Sequence, residues 1–167
     1  VKVRRITELA MLTAVALIIF VVELQIPNPI PVPGVKLGLA NVITVYAVYH
    51  YSPRETAMLV FTRIFLGAIF SGMMSTLLYS FAGSVLCLLG MLGLKKVIPQ
   101  SSLWLASVFG AVLHNLGQIT VAALVTQTAG VFTWFPFLLV SGCLSGAFTG
   151  ICAQLILNRI PYGAGKK

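Results

Sequence analysis

The strongest constraint on this chain is its succession of long apolar runs. The first extends from Ile6 to Gln25 and the last from Phe137 to Asn158, with charge confined almost wholly to their ends. In lipid no water satisfies a peptide group, so the backbone must bond to itself, as helices or as a closed barrel. Runs of about 20 residues are the length of a membrane-crossing helix, whereas a barrel strand needs only about 10. The expectation is therefore all-α. Composition agrees, because a chain 59% hydrophobic and only 8% charged belongs with membrane proteins. One bundle of short-looped helices suits the 167 residues, so residues 1–167 are read as a single domain. The first run is read as a span and not a removed signal peptide, since it is long, lacks a small-residue cleavage site and precedes further spans.

Six spans follow from the punctuation. Span 1 covers Ile6 to Gln25. The stretch Pro27 to Asn41 then carries four of the eight prolines, and Pro fixes φ and lacks an N–H, so Ile26–Pro33 is excluded from helix. This stiff segment is either a lid over a ligand site or a plain connector that stops two helices. Span 2 runs from Leu37 to Tyr51 and is short. Ser52-Pro53-Arg54-Glu55 then supplies a capping box with proline at the first helical position, starting span 3, which ends near Ser71-Gly72. Span 4 covers Ser75 to Leu94 and stops at Lys95-Lys96. Ser101 or Ser102 is expected to cap span 5, which reaches Gln127. Thr128 to Pro136 reads as a loop with Trp134 and Phe135 at interface level. Span 6 covers Phe137 to Asn158, before a basic tail.

An even number of spans puts both termini on one side. With the N-terminus cytoplasmic, the inner segments hold Lys2, Arg4, Arg5, Arg54, Lys95, Lys96, Arg159, Lys166 and Lys167, and the outer ones only Lys36. That asymmetry predicts cytoplasmic termini and an outward-facing Pro27–Lys36 loop. It also turns the net charge of +8 from a nucleic-acid signal into a topological one, leaving the lipid bilayer as the partner and no nucleic acid. Cys87, Cys143 and Cys152 lack metal-ligand spacing and are read as buried, reduced packing residues, with no metal site.

Small and polar residues mark the internal faces. Gly142, Gly146 and Gly150 give span 6 a surface that lets another backbone approach closely. Ala10 and Ala14, one turn beyond Thr7, give span 1 a similar face. On span 5, Ala106, Gly110, His114, Gln118 and Ala122 recur every four residues, with Asn115 alongside, and such a stripe points inward. Arg63 lies about ten residues into span 3, or ~15 Å along the helix, near mid-bilayer. An arginine there costs at least about 2.5–3.5 kcal/mol on insertion scales, so it needs a partner or a wet cavity. Glu23 is the one acid placed within a span away from the cytoplasmic end. Arg63 therefore either pairs with Glu23 or meets an anion. Glu23, Lys36, Asn41, Arg63, His114, Asn115 and Gln118 are the candidate lining of an outer cavity. Taken singly, His114, Asn115 and Gln118 are equally the polar glue between helices, and Lys36 an interface anchor.

Two patterns carry a resemblance. P-x-P-G-x-K-L-G-L-A-N from Pro31 to Asn41, followed by Arg63, Ile64, Gly67 and Gly72, resembles the Gx transporter family, also labelled heptaprenyl diphosphate synthase component I. That family is similar to the substrate-binding S components of energy-coupling factor (ECF) transporters, including the riboflavin type. The resemblance spans Ile6 to Asn158, although the short second span departs from it. It implies an all-α integral membrane bundle of six transmembrane helices, ECF S-component-like, with both termini cytoplasmic. It also implies a small molecule captured in the outer half under the first loop. Ala10 and Ala14 match the Ala-x-x-x-Ala face that meets an ECF-type coupling membrane subunit in such proteins.

The expected function is capture of a small anionic or aromatic molecule, such as a vitamin or quinone precursor, for ATP-driven uptake across the cytoplasmic membrane of a prokaryote. The sequence has no Gly-rich phosphate loop, so ATP is assigned to two partner ATPase subunits and no cofactor to this chain. A catalytic role is not expected. Prenyl-diphosphate synthesis needs carboxylates to hold Mg²⁺, and this chain has no Asp and only Glu8, Glu23 and Glu55. The alternative is a non-catalytic membrane component assisting isoprenoid or quinone enzymes. A solitary secondary transporter is disfavoured, because no repeat relates the two halves.

Overall fold

The computed structural model describes residues 2–26, 38–72 and 74–159. The proline-rich segment with Lys36, and the residues after Arg159, lie outside them. The described residues form six α-helices: α1 Lys2–Gln25, α2 Asn41–His50, α3 Pro53–Ser71, α4 Ser75–Leu94, α5 Leu103–Thr126 and α6 Phe135–Arg159. Short 3₁₀ turns at Gln100–Ser102 and Ala129–Trp134 precede α5 and α6. No strand occurs among them.

Four helical segments are long and apolar enough to cross a membrane: Val3–Gln25, Leu77–Leu94, Gln100–Thr126 and Ala129–Arg159. Their outward faces carry large apolar side chains such as Met11, Ile18, Leu124, Leu144 and Phe148. An exterior of that kind belongs against acyl chains, which fits a multi-pass membrane protein. The other two helices are different. α3 carries three charges, Arg54, Glu55 and Arg63, in its 19 residues. α2 has only 10 residues, about 15 Å of helix, which is half a ~30 Å hydrocarbon layer.

The expected second span, Leu37 to Tyr51, is thus cut back at its start to Asn41. Gly38 adopts φ 78°, a left-handed conformation that glycine tolerates, and Asn41 N–H bonds back to Gly38 C=O at 2.9 Å. α2 is apolar all round and nearly all buried, packing against α6, α3, α1 and α4. Its terminal carbonyls find partners: Thr56 Oγ1 donates to Ala47 C=O at 3.1 Å and Lys95 Nζ to Val48 C=O at 2.5 Å. Lys95 therefore serves α2, besides ending α4.

Local signals place the other ends. The capping box at α3 is present: Ser52 Oγ accepts from Glu55 N–H and the Glu55 carboxylate accepts from Ser52 N–H at 2.9 Å. The α3 helix stops at Gly72, whose φ of 64° a side chain would resist. Two expectations need correcting. Ser102 occupies the cap position of α5 without a side-chain hydrogen bond. Instead of a loop through Pro136, Ala129–Trp134 is 3₁₀ and α6 begins at Phe135, with Pro136 in the first turn, where its missing N–H costs nothing.

The tightest packing lies along α5, against α6 on one side and α4 on the other. The glycines of α6 press on α5 so closely that a Cβ at Gly146 would sit 2.7 Å from Val108 Cα, and one at Gly150 2.6 Å from Trp104 Cα. Ser107 and Thr149 hydroxyls bond across the same interface at 3.1 Å. Of the cysteines, only Cys87 is buried; Cys143 and Cys152 are half-exposed on α6, since the glycines take the inward face.

Candidate functional site

Arg63 is buried at 6% exposure in the middle of α3. The two ion pairs among the described residues are Arg4–Glu8 and Arg5–Glu55, and Arg63 is in neither. Glu23 is buried too, at 5% exposure, and is near enough to attract Arg63 electrostatically without touching it. Its carboxylate is used elsewhere: Oε1 accepts the Gly38 N–H at 2.5 Å. Glu23 thus holds the chain where it enters α2, and negative charge is favoured near that helix's N-terminus. Asn41, 8% exposed, packs its side-chain nitrogen against Gly38 from the other side. Glu23 and Asn41 are thereby brought together at Gly38.

The opposite wall comes from α4 and α5. A void of about 20 Å³, room for roughly one water molecule, is lined by Arg63, Ile64 and Ala68 of α3, Phe20 of α1 and Ser80 of α4. Ser84 and Cys87 follow Ser80 at i+4 and i+7, on the same face of α4. Cys87 and His114 both lie within electrostatic reach of the Arg63 guanidinium. The His114 ring rests on the backbone of Gly83, where an added Cβ would lie 3.0 Å from Nδ1. Two buried polar atoms here lack a hydrogen bond of normal geometry among the described residues: His114 Nδ1 and Ser84 Oγ.

The remaining candidates separate. Asn115 points the other way, donating from Nδ2 to Leu138 C=O of α6 at 2.8 Å, so it joins helices and does not face Arg63. Gln118 is sealed within the bundle at 1% exposure, one turn beyond His114. Lys36 lies outside the described residues. Ala10 and Ala14 are exposed and line an apolar groove of about 380 Å³ between α1 and α3, with Leu9, Met58 and Leu66 among its walls. Sequence reading passed over Ser80, Ser84 and Cys87. Their i, i+4, i+7 spacing was the available signal, but small residues in an apolar helix read as packing.

The arrangement suits recognition of an anion. A guanidinium in a low-dielectric surround, free of a bound carboxylate, presents a fork of donors matched to an oxyanion. Among the described residues no three of His, Cys, Asp and Glu gather as a metal ion would require. The family model described as heptaprenyl diphosphate synthase component I matches residues 12–156. No curated protein and no solved structure matches the chain.

Proposed function

The chain belongs to the heptaprenyl diphosphate synthase component I family, and from that premise we propose that it is the substrate-capture subunit of an ATP-driven uptake system. In this reading α2 and α3 complete six spans, with both termini cytoplasmic, in the cytoplasmic membrane of a prokaryote. A small anionic or aromatic molecule, such as a vitamin or quinone precursor, enters from outside beneath the proline-rich segment and meets Arg63. The chain itself performs no catalysis and holds no cofactor. ATP is hydrolysed by two ATPase subunits, coupled through a membrane subunit that docks on the Ala10/Ala14 groove.

The observation carrying this reading is Arg63, buried at mid-helix with no carboxylate in ion-pair contact among the described residues. An ionisable group at membrane depth points to function. α1 links the ends of the mechanism, because it carries Ala10 and Ala14 in the groove and Glu23 on the Gly38 backbone. A shift of α1 on docking a partner is thereby felt at the entry to α2. Native mass spectrometry of the purified protein tests the capture step: wild type retains a small molecule that Arg63→Ala loses while remaining folded. Equal retention by both removes Arg63 from the mechanism.

The family description favours a second reading, a non-catalytic membrane component that assists isoprenoid or quinone enzymes. Co-purification separates the two. Recovery of ATPase and coupling subunits, lost in Ala10→Trp, supports uptake; recovery of a prenyl-transferring enzyme instead supports the second reading.

A further inference from the structure

Hydroxyl groups inside apolar helices have a default partner, the carbonyl one turn back. Most in this protein use it: Thr13 bonds Leu9 C=O at 2.8 Å, Thr120 bonds Leu116 C=O at 2.7 Å and Thr126 bonds Ala122 C=O at 2.8 Å. Ser84 does not, although it is 3% exposed and Ser80 C=O is in the usual position. A buried hydroxyl without a partner costs about 1–3 kcal/mol. Its place in the fold supplies a reason. Ser84 sits on the α4 face between Ser80, which shares a void with Arg63, and Cys87, which lies within reach of the Arg63 charge. Its chain neighbour Gly83 supports the ring of His114, whose Nδ1 is likewise unpartnered. Two orphaned polar atoms from two helices thus flank one buried cation.

From this juxtaposition we infer that Ser84 and His114 complete the anion site of Arg63, and that the group bound is a singly charged carboxylate. The inference rests on the capture reading and names the chemistry of its substrate. The charge balance selects the class. Arg63 supplies one positive charge, and Glu23 nearby already supplies a negative one. A phosphate monoester or diphosphate adds about −1.5 or more, and uncompensated charge in a low-dielectric interior costs several kcal/mol. A neutral ligand leaves the guanidinium without a counter-charge. A carboxylate takes the bidentate guanidinium fork and still has lone pairs for the Ser84 hydroxyl. His114 Nδ1 is left to read a polar substituent beside it.

The test uses the full chain in lipid nanodiscs and follows its thermal midpoint against sodium acetate or sodium phosphate, with ionic strength held by chloride. Wild type, Ser84→Ala and Arg63→Gln are compared, with Ser84→Cys as a volume-preserving second variant should Ser84→Ala not fold. Acetate is expected to raise the wild-type midpoint saturably. Ser84→Ala weakens the apparent acetate affinity roughly tenfold, the loss of one charge-assisted hydrogen bond. Arg63→Gln abolishes the response, and phosphate acts equally on wild type and Arg63→Gln, through solvent effects alone. An undiminished acetate response in both Ser84 variants overturns the Ser84 assignment and leaves the Arg63 reading intact. Phosphate stabilising wild type over Arg63→Gln as well as acetate does, or no acetate response in wild type, overturns the carboxylate class. Arg63→Gln responding like wild type overturns this proposal and the capture reading together.

Discussion

Two helix pairs in this bundle meet in opposite ways. Along α5 and α6, glycines on one helix touch backbone on the other, with a hydroxyl pair crossing the seam. Between α1 and α3 the contacts are at the ends and the middle stands apart. Phe20 packs on Gly67 at one end, Arg5 holds Glu55 by Nε–Oε1 at 2.6 Å at the other, and the Ala10/Ala14 groove of about 380 Å³ lies between. Both faces are built from small residues. What differs is the neighbour: facing backbone at close range closes the first pair, while side chains such as Met58 and Leu66 leave the second open. Small residues permit close approach without enforcing it, so one pair is scaffold and the other has unused surface.

The contrast is most easily broken on α6. Gly146→Leu should destabilise the protein by more than about 3 kcal/mol, because the new side chain collides with Val108 Cα, which cannot rotate away. Thermal unfolding in detergent reads this directly, and a midpoint equal to wild type would mean the α5–α6 seam is not close-packed. Next in size comes Arg63→Met. Removing a buried charge that lacks a bound carboxylate should stabilise the ligand-free protein by about 2 kcal/mol, while ligand retention disappears. A fall in stability instead would make Arg63 a structural residue.

Lys95→Met tests the scaffold from below. It withdraws the donor from Val48 C=O and the cation at 5.8 Å from the centre of the Tyr49 ring, for a loss of about 1 kcal/mol. Hydrogen exchange localised to the end of α2 should rise with it; uniform exchange would show that α2 does not depend on this contact. The smallest effect belongs to the open pair. Ala10→Leu enters the groove without meeting backbone, so stability should stay within about 0.5 kcal/mol of wild type. A drop like that of Gly146→Leu would erase the distinction between the two pairs.

Much of this was legible in the linear chain. Ser52, Pro53 and Glu55 announced the start of α3, and α4 ends at Leu94 where the lysines begin. The α5 stripe of Ala106, Gly110, His114, Gln118 and Ala122 is buried throughout, as its four-residue spacing required. The site was harder to read. His114 and Asn115 are adjacent in sequence but about 100° apart on a helix, so one meets α4 and the other α6. Which of them faces Arg63 depends on how α5 is rotated between its neighbours. Ser84 carried no signal at all, since a serine in an apolar run reads as filler until its missing partner is seen.

Sequence alone settled that the chain folds as apolar helices, where most of them begin and end, and that Arg63 would be an expensive resident. These are local matters of backbone hydrogen bonding, proline geometry and the cost of charge in an apolar medium. Tertiary structure decided that α2 is a short enclosed helix, that Glu23 serves Gly38 without clasping Arg63, and that α1 stands off α3. Those outcomes depend on the relative rotation and separation of helices, which follow from packing between residues far apart in the chain.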